Sequence, residues 1–211
     1  MLEFRLFGVT WRLSLLFPAM LTTLLVWQPD GLAIPCVLAS LIHEGGHLLG
    51  MCMLGVLPQN VTVGVFGAQM QMHNIKISYK QSVLISLSGP LINLMSAVAL
   101  WLCQCSISAV VHLLLAIINL LPAIGLDGGE MLRCCLCQFG FGELASRILH
   151  ITSALVVMPL ITFGLYVLFQ GESNASLLVV GAYLIAMIFF ADKNEKSLDK
   201  RSFGCYNHRD E

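Results

Sequence analysis

The chain has 211 residues, of which 57% are hydrophobic and only 11% are Asp, Glu, Lys or Arg. Soluble domains carry about 25% charged residues, so an ordinary charged globular surface is excluded, and a mean hydropathy of +0.84 excludes a disordered chain as well. The net charge of −1 leaves no basic field for nucleic acid.

Residues 13–29, 81–126, 148–171 and 173–191 carry no Asp, Glu, Lys or Arg. A membrane-spanning helix needs roughly 20 mostly apolar residues. These stretches, with the apolar run around residue 44, predict an all-α polytopic membrane protein of about six transmembrane helices. The expected spans are 10–28, 32–57, 81–103, 107–126, 149–169 and 174–191, with a polar break at Cys103-Gln104-Cys105-Ser106. Residues 1–191 then form the transmembrane domain, and 192–211 a short polar cytoplasmic tail. A cleaved signal peptide is the alternative for residues 1–30, with Arg5 and Arg12 as its basic region. Its removal would spoil the charge pattern described next.

Arg5 and Arg12 precede or open the first span. Lys76 and Lys80 follow the second, Arg133 and Arg147 follow the fourth, and the remaining basic residues follow the sixth. All therefore lie on one side, which the positive-inside rule makes the cytoplasm. The expected location is a bacterial cell membrane, with both termini cytoplasmic. The connection 58–80 is unlike the others. Val61, Val63 and Val65 alternate with small or polar residues, as do Ile75, Ile77 and Tyr79, and Gly64 and Gly67 suit a turn. A small membrane-associated β-hairpin between helices 2 and 3 is expected there, with an irregular amphipathic loop as the alternative. The eight cysteines lie mostly in or beside apolar helices and read as reduced thiols.

Two acids remain within the apolar stretches or at their edge, Glu44 and Asp127. Ionisable groups inside a membrane are costly and mark functional sites. Glu44 lies in His43-Glu44-Gly45-Gly46-His47. On a helix, His43 and His47 share one face a turn apart, and each can offer a nitrogen to one Zn2+. Glu44 is rotated by one residue and suits a general base for a zinc-activated water. A polar patch at a helix contact is the bland alternative. Catalytic zinc takes a third protein ligand. Asp127 is the best candidate, ending a stretch in which Pro122 breaks or kinks the helix and Gly128-Gly129 permit a sharp turn. Asp-Gly is also a common turn or helix-cap pair. Cys134, Cys135 and Cys137 lack a second ligand pair, and His73, His112 and His150 read as packing or interface residues.

HEGGH at 43–47 with NLLPAIGLDGG at 119–129 resembles the site-2 protease family of intramembrane zinc metalloproteases. SGPLINL at 88–94 resembles a further family segment, and FRLFGVTWRLSLLF at the start resembles the stage IV sporulation FB branch. Members of that branch commonly carry a CBS domain, and these 211 residues include neither that nor a PDZ domain. The resemblance implies His43, His47 and Asp127 as ligands of one zinc per chain, and Glu44 as the base. It implies that Asn119 positions substrate or donates to an oxyanion, a role set against a plain helix–helix hydrogen bond. Asn93 is a weaker case of the same kind. The extended segment after span two would pair with a substrate strand.

The expected function is a zinc metalloendopeptidase that hydrolyses transmembrane or membrane-associated proteins near the cytoplasmic face. The alternative is a non-proteolytic zinc-binding membrane chaperone or sensor of the same fold. Expected partners are a membrane protein substrate and the lipid bilayer, with a membrane regulatory partner or a homo-oligomer compatible and nucleic acid excluded.

Overall fold

A computed structural model describes residues 2–6, 9–13, 32–64, 67–71, 77–169 and 185. The elements run β1 (Leu2–Leu6), β2 (Val9–Leu13), α1 (Ala33–Met53), β3 (Asn60–Gly64), β4 (Gly67–Gln71), α2 (Tyr79–Leu102), α3 (Ser106–Asn119), α4 (Asp127–Gln138) and α5 (Gly142–Phe169). They fall into two units, Met1–Asn119 and Leu120–Glu211.

In the first unit, α1, α2 and α3 pack against one another. Small residues permit the close approach of α1 and α2. A Cβ on Gly46 would meet the Ser88 carbonyl at 2.8 Å and the Gly89 Cα at 2.9 Å, and one on Gly50 would meet the Ser88 side chain. The outward faces are apolar instead of charged. Ile34, Leu38 and Leu41 on α1 and Leu91, Met95 and Val98 on α2 are exposed, which suits lipid rather than water. The start of α2 is set by a capping box: Gln81 N–H donates to Ser78 Oγ, and Ser78 N–H donates to Gln81 Oε1.

The same unit holds a four-stranded sheet in the order β1-β2-β3-β4. β3 and β4 form a hairpin where one was expected after α1, antiparallel with Val61 opposite Met70, but its second strand is Gly67–Gln71 and not the run at 75–79, whose Tyr79 begins α2. β1 and β2 form a second hairpin, in which Glu3 faces Arg12 and Phe4 faces Trp11. The facing pairs interact, through a 2.7 Å ion pair and through rings stacked at 6.3 Å. β2 joins β3 in parallel, and the connection between them contains α1, as parallel pairing requires a long crossover.

The second unit packs α4 against α5, with Ile151, Leu155 and Met158 exposed on α5. The connection 120–126 folds onto α5, where buried Ser153 Oγ accepts from the Ile124 N–H at 2.8 Å.

Among the described residues, three helices are long and apolar enough to cross a membrane: Ala33–Met53, Tyr79–Leu102 and Gly142–Tyr166. The chain is a helical membrane protein, but six spans are not what these residues show. The expected first span opens instead on β2, because residues 9–13 alternate apolar and polar with the period of a strand. The expected fourth span, 107–126, is cut short: α3 ends at Asn119, ahead of Pro122. Its 14 residues reach roughly 21 Å, short of a hydrocarbon core about 30 Å thick. The connection expected at 127–148 is largely helical, forming α4 and the first turns of α5. Residues 14–31, 170–184 and 186–211, which include nearly all of the expected sixth span and the whole tail, lie outside the described residues.

Candidate metal centre

The HEGGH motif falls in the middle of α1. His43 and His47 are 6% and 8% exposed, turned inward, while Glu44 is half-buried and Gly45 exposed. The two rings meet edge to face at 87° with their Nε2 atoms 3.2 Å apart. Two nitrogens on one tetrahedral Zn2+, each at about 2.0–2.1 Å, are separated by roughly 3.3–3.4 Å. The imidazoles are thus already spaced as neighbouring ligands.

α2 fixes that spacing. His47 Nδ1 lies 2.8 Å from the Ile85 carbonyl. A carbonyl only accepts, so Nδ1 carries the hydrogen and Nε2 of the neutral ring is the acceptor nitrogen. His43 Nδ1 lies 3.2 Å from the carboxamide of Asn93, which is fully buried. Gly89 closes the floor under both rings. A Cβ there would collide with the His47 ring and come within 3.0 Å of His43 Cε1, so the cradle requires glycine. SGPLINL therefore supplies Gly89 and Asn93 to the histidine pair. The sequence offered Asn93 as a weak candidate and gave Gly89 no role.

Asp127 opens α4, in the second unit, as its first residue. That is a helix-start position, where a carboxylate also complements the helix dipole. Its placement depends on close backbone approach. A Cβ on Gly128 would meet the Leu120 carbonyl, and one on Gly129 the Ala123 carbonyl. Gly125 has φ +86°, a left-handed conformation that favours glycine. The glycines around Asp127 are thus set by backbone packing, and Ser153 anchors the connection from the α5 side. Nothing in the sequence pattern marked Ser153, an isolated hydroxyl in an apolar helix.

Asn119 ends α3, half-buried, and its carboxamide N–H donates to the Leu115 carbonyl of its own helix at 3.0 Å. His112, read as a packing or interface residue, is buried at 2% exposure with its Nδ1 3.1 Å from Asn93 Oδ1 on α2. His150 Nδ1 turns to the Ser146 carbonyl of its own helix, and His73 lies outside the described residues. None of the described cysteines joins a candidate metal-binding group. Beyond Asp127 on α4, Glu130 bonds Arg133 through both carboxylate oxygens at 2.7 and 2.9 Å. That hydrogen bonding outweighs burial and holds Arg133 above the ordinary arginine range.

Among solved structures, the chain is similar to the site-2 protease from Methanocaldococcus jannaschii. The TM-score is 0.66 at 20% sequence identity, covering 92% of this chain and 94% of that one. At that identity the likeness establishes the fold. No family model matches the chain, and no curated protein matches it.

Proposed function

We propose that the chain is a zinc-dependent endopeptidase of the site-2 protease family, cutting membrane proteins near the cytoplasmic face. The observation that carries this reading is the histidine pair of HEGGH, with its Nε2 atoms 3.2 Å apart over a floor that only glycine fits. With Asp127 as the third ligand in this reading, two imidazoles and a carboxylate suit one Zn2+ per chain. When bound, zinc polarises the scissile carbonyl and makes water acidic enough to attack near neutral pH.

The chain's own groups do the rest. Glu44 lies next to His43 and about 100° round the helix from it. It accepts the proton of the attacking water and returns it to the leaving amine. His47 keeps its lone pair presented because Ile85 holds the opposite nitrogen. Asn119 donates to the developing oxyanion by turning its amide from the Leu115 carbonyl towards substrate. β4 ends the sheet order and so offers an outer edge on which an extended substrate strand can add. An extended substrate is needed because a helix shields its peptide bonds with its own hydrogen bonds. In this reading both termini face the cytoplasm, as the one-sided placing of the basic residues requires.

The fold likeness supports this assignment. The test is quantitative proteomics of membrane fragments in cells expressing the wild type or Glu44→Gln. The reading expects a defined set of cleavage products to vanish in the variant. If products persist undiminished, Glu44 is not the base and the mechanism fails. Zinc retained with no Glu44-dependent product in any condition would favour the non-proteolytic chaperone or sensor.

A further inference from the structure

Four buried side chains form one polar chain through the first unit. His47 Nε2 lies 3.2 Å from His43 Nε2, His43 Nδ1 lies 3.2 Å from the Asn93 carboxamide, and Asn93 lies 3.1 Å from His112 Nδ1. Asn93 is 0% and His112 2% exposed, although α3, which carries His112, is an apolar helix. A buried polar group costs free energy unless it is hydrogen-bonded. This one is bonded towards the histidine pair.

Each link fixes the direction of the next. With no metal, His47 Nε2 is an acceptor, so His43 Nε2 carries the hydrogen. His43 Nδ1 then accepts from Asn93 Nδ2–H, and Asn93 Oδ1 accepts from His112 Nδ1–H. This order matches the carboxamide orientation, with Nδ2 towards His43 and Oδ1 towards His112. A metal on both Nε2 atoms demands the reverse. His43 must then carry its hydrogen on Nδ1 and donate it. Asn93 meets that demand by turning its amide through 180°, which presents Oδ1 to His43 and Nδ2 to His112. His112 Nδ1 must now accept, so its own hydrogen moves to Nε2. No net proton is gained or lost, since each ring only exchanges one tautomer for the other.

We infer that Asn93 and His112 are positioning residues for the metal centre, a two-membered support that selects the tautomer of His43 and reverses direction when metal binds. The inference rests on the proposed metal site and deepens it: the support reaches α3, so three helices set the geometry of one histidine. Groups of this kind, in contact with a ligand's second nitrogen, typically change metal affinity by about 10–100-fold.

The test uses the full chain purified in detergent, Zn2+ as the probe, and 15N-histidine NMR. Adding Zn2+ is expected to move His112 from the Nδ1–H to the Nε2–H tautomer. Zn2+ affinity, measured against a competing chelator, is expected to fall about 10–100-fold in His112→Phe, which keeps a ring but offers no acceptor. His112→Gln, whose side-chain oxygen can accept from Asn93, is expected to restore most of it. If Zn2+ binds while the His112 tautomer stays unchanged, the inference is overturned and the metal site stands. Equal affinities in wild type and His112→Phe overturn it too, as does a His112→Gln affinity as low as that of His112→Phe. If the wild type binds no Zn2+, the metal site itself falls. The NMR result needs no variant, so it decides the matter even where His112→Phe does not fold.

Discussion

At the scale of single residues, the centre depends on groups that hold others still. Gly89 is the sharpest case. Its missing Cβ leaves room for the His47 ring, whose Nδ1 is tied to the Ile85 carbonyl. Gly89→Ala should therefore push the ring off its bond, lowering zinc affinity at least tenfold and stability by about 1–3 kcal/mol. Chelator competition and thermal unfolding would check this, and an unchanged affinity would contradict it. Glu130 is a useful contrast. Its ion pair with Arg133 is partly exposed and local to one helix, so Glu130→Gln should change stability by no more than about 0.5 kcal/mol. The residues legible from sequence were those with a chemical signature: His43, Glu44 and His47 by their spacing, Asp127 as an acid at the edge of an apolar run. Those not legible were Gly89 and His112, whose roles come from what α2 and α3 place beside α1. One linear pattern cannot show which face of a distant helix a side chain meets.

At the scale of elements, α3 and the connection after it are the informative pieces. Pro122 announced a break, and α3 stops at Asn119. Beyond its own backbone bonds, the turn is tied to α5 by Ser153, whose hydroxyl takes the buried Ile124 N–H. Ser153→Ala would leave that N–H unsatisfied at a cost of about 1–3 kcal/mol. The expected outcome is faster hydrogen exchange at 120–127 and weaker zinc binding, with little change in exchange across α1. Uniform exchange in the variant would mean that Ser153 does not anchor this turn. The β3–β4 hairpin was readable from the alternating valines and the glycines. The β1–β2 hairpin carried an equal signal, since Leu2, Phe4 and Leu6 alternate with charged residues and Val9, Trp11 and Leu13 with polar ones. It was hidden because a helical span drawn from residue 10 takes most of β2 into the apolar run that follows and leaves β1 without its partner.

At the scale of the whole molecule, low charge read correctly as a membrane environment, and the exposed apolar faces of α1, α2 and α5 agree. Hydropathy is less able to count spans. It adds residues without seeing where a strand ends or a helix breaks. Orientation belongs to this scale as well. Reporter fusions at residues 1 and 211 should both report the cytoplasm, and one on each side would contradict the charge-based topology. The central claim is that HEGGH with Asp127 makes a zinc peptidase site. Its most direct test is zinc per purified chain, by elemental analysis, in the wild type, Glu44→Gln, His47→Ala and Asp127→Ala. The account predicts about one zinc in the first two and loss in the last two, because Glu44 works beside the metal without holding it. Full zinc in His47→Ala and Asp127→Ala, or none in the wild type, would contradict it.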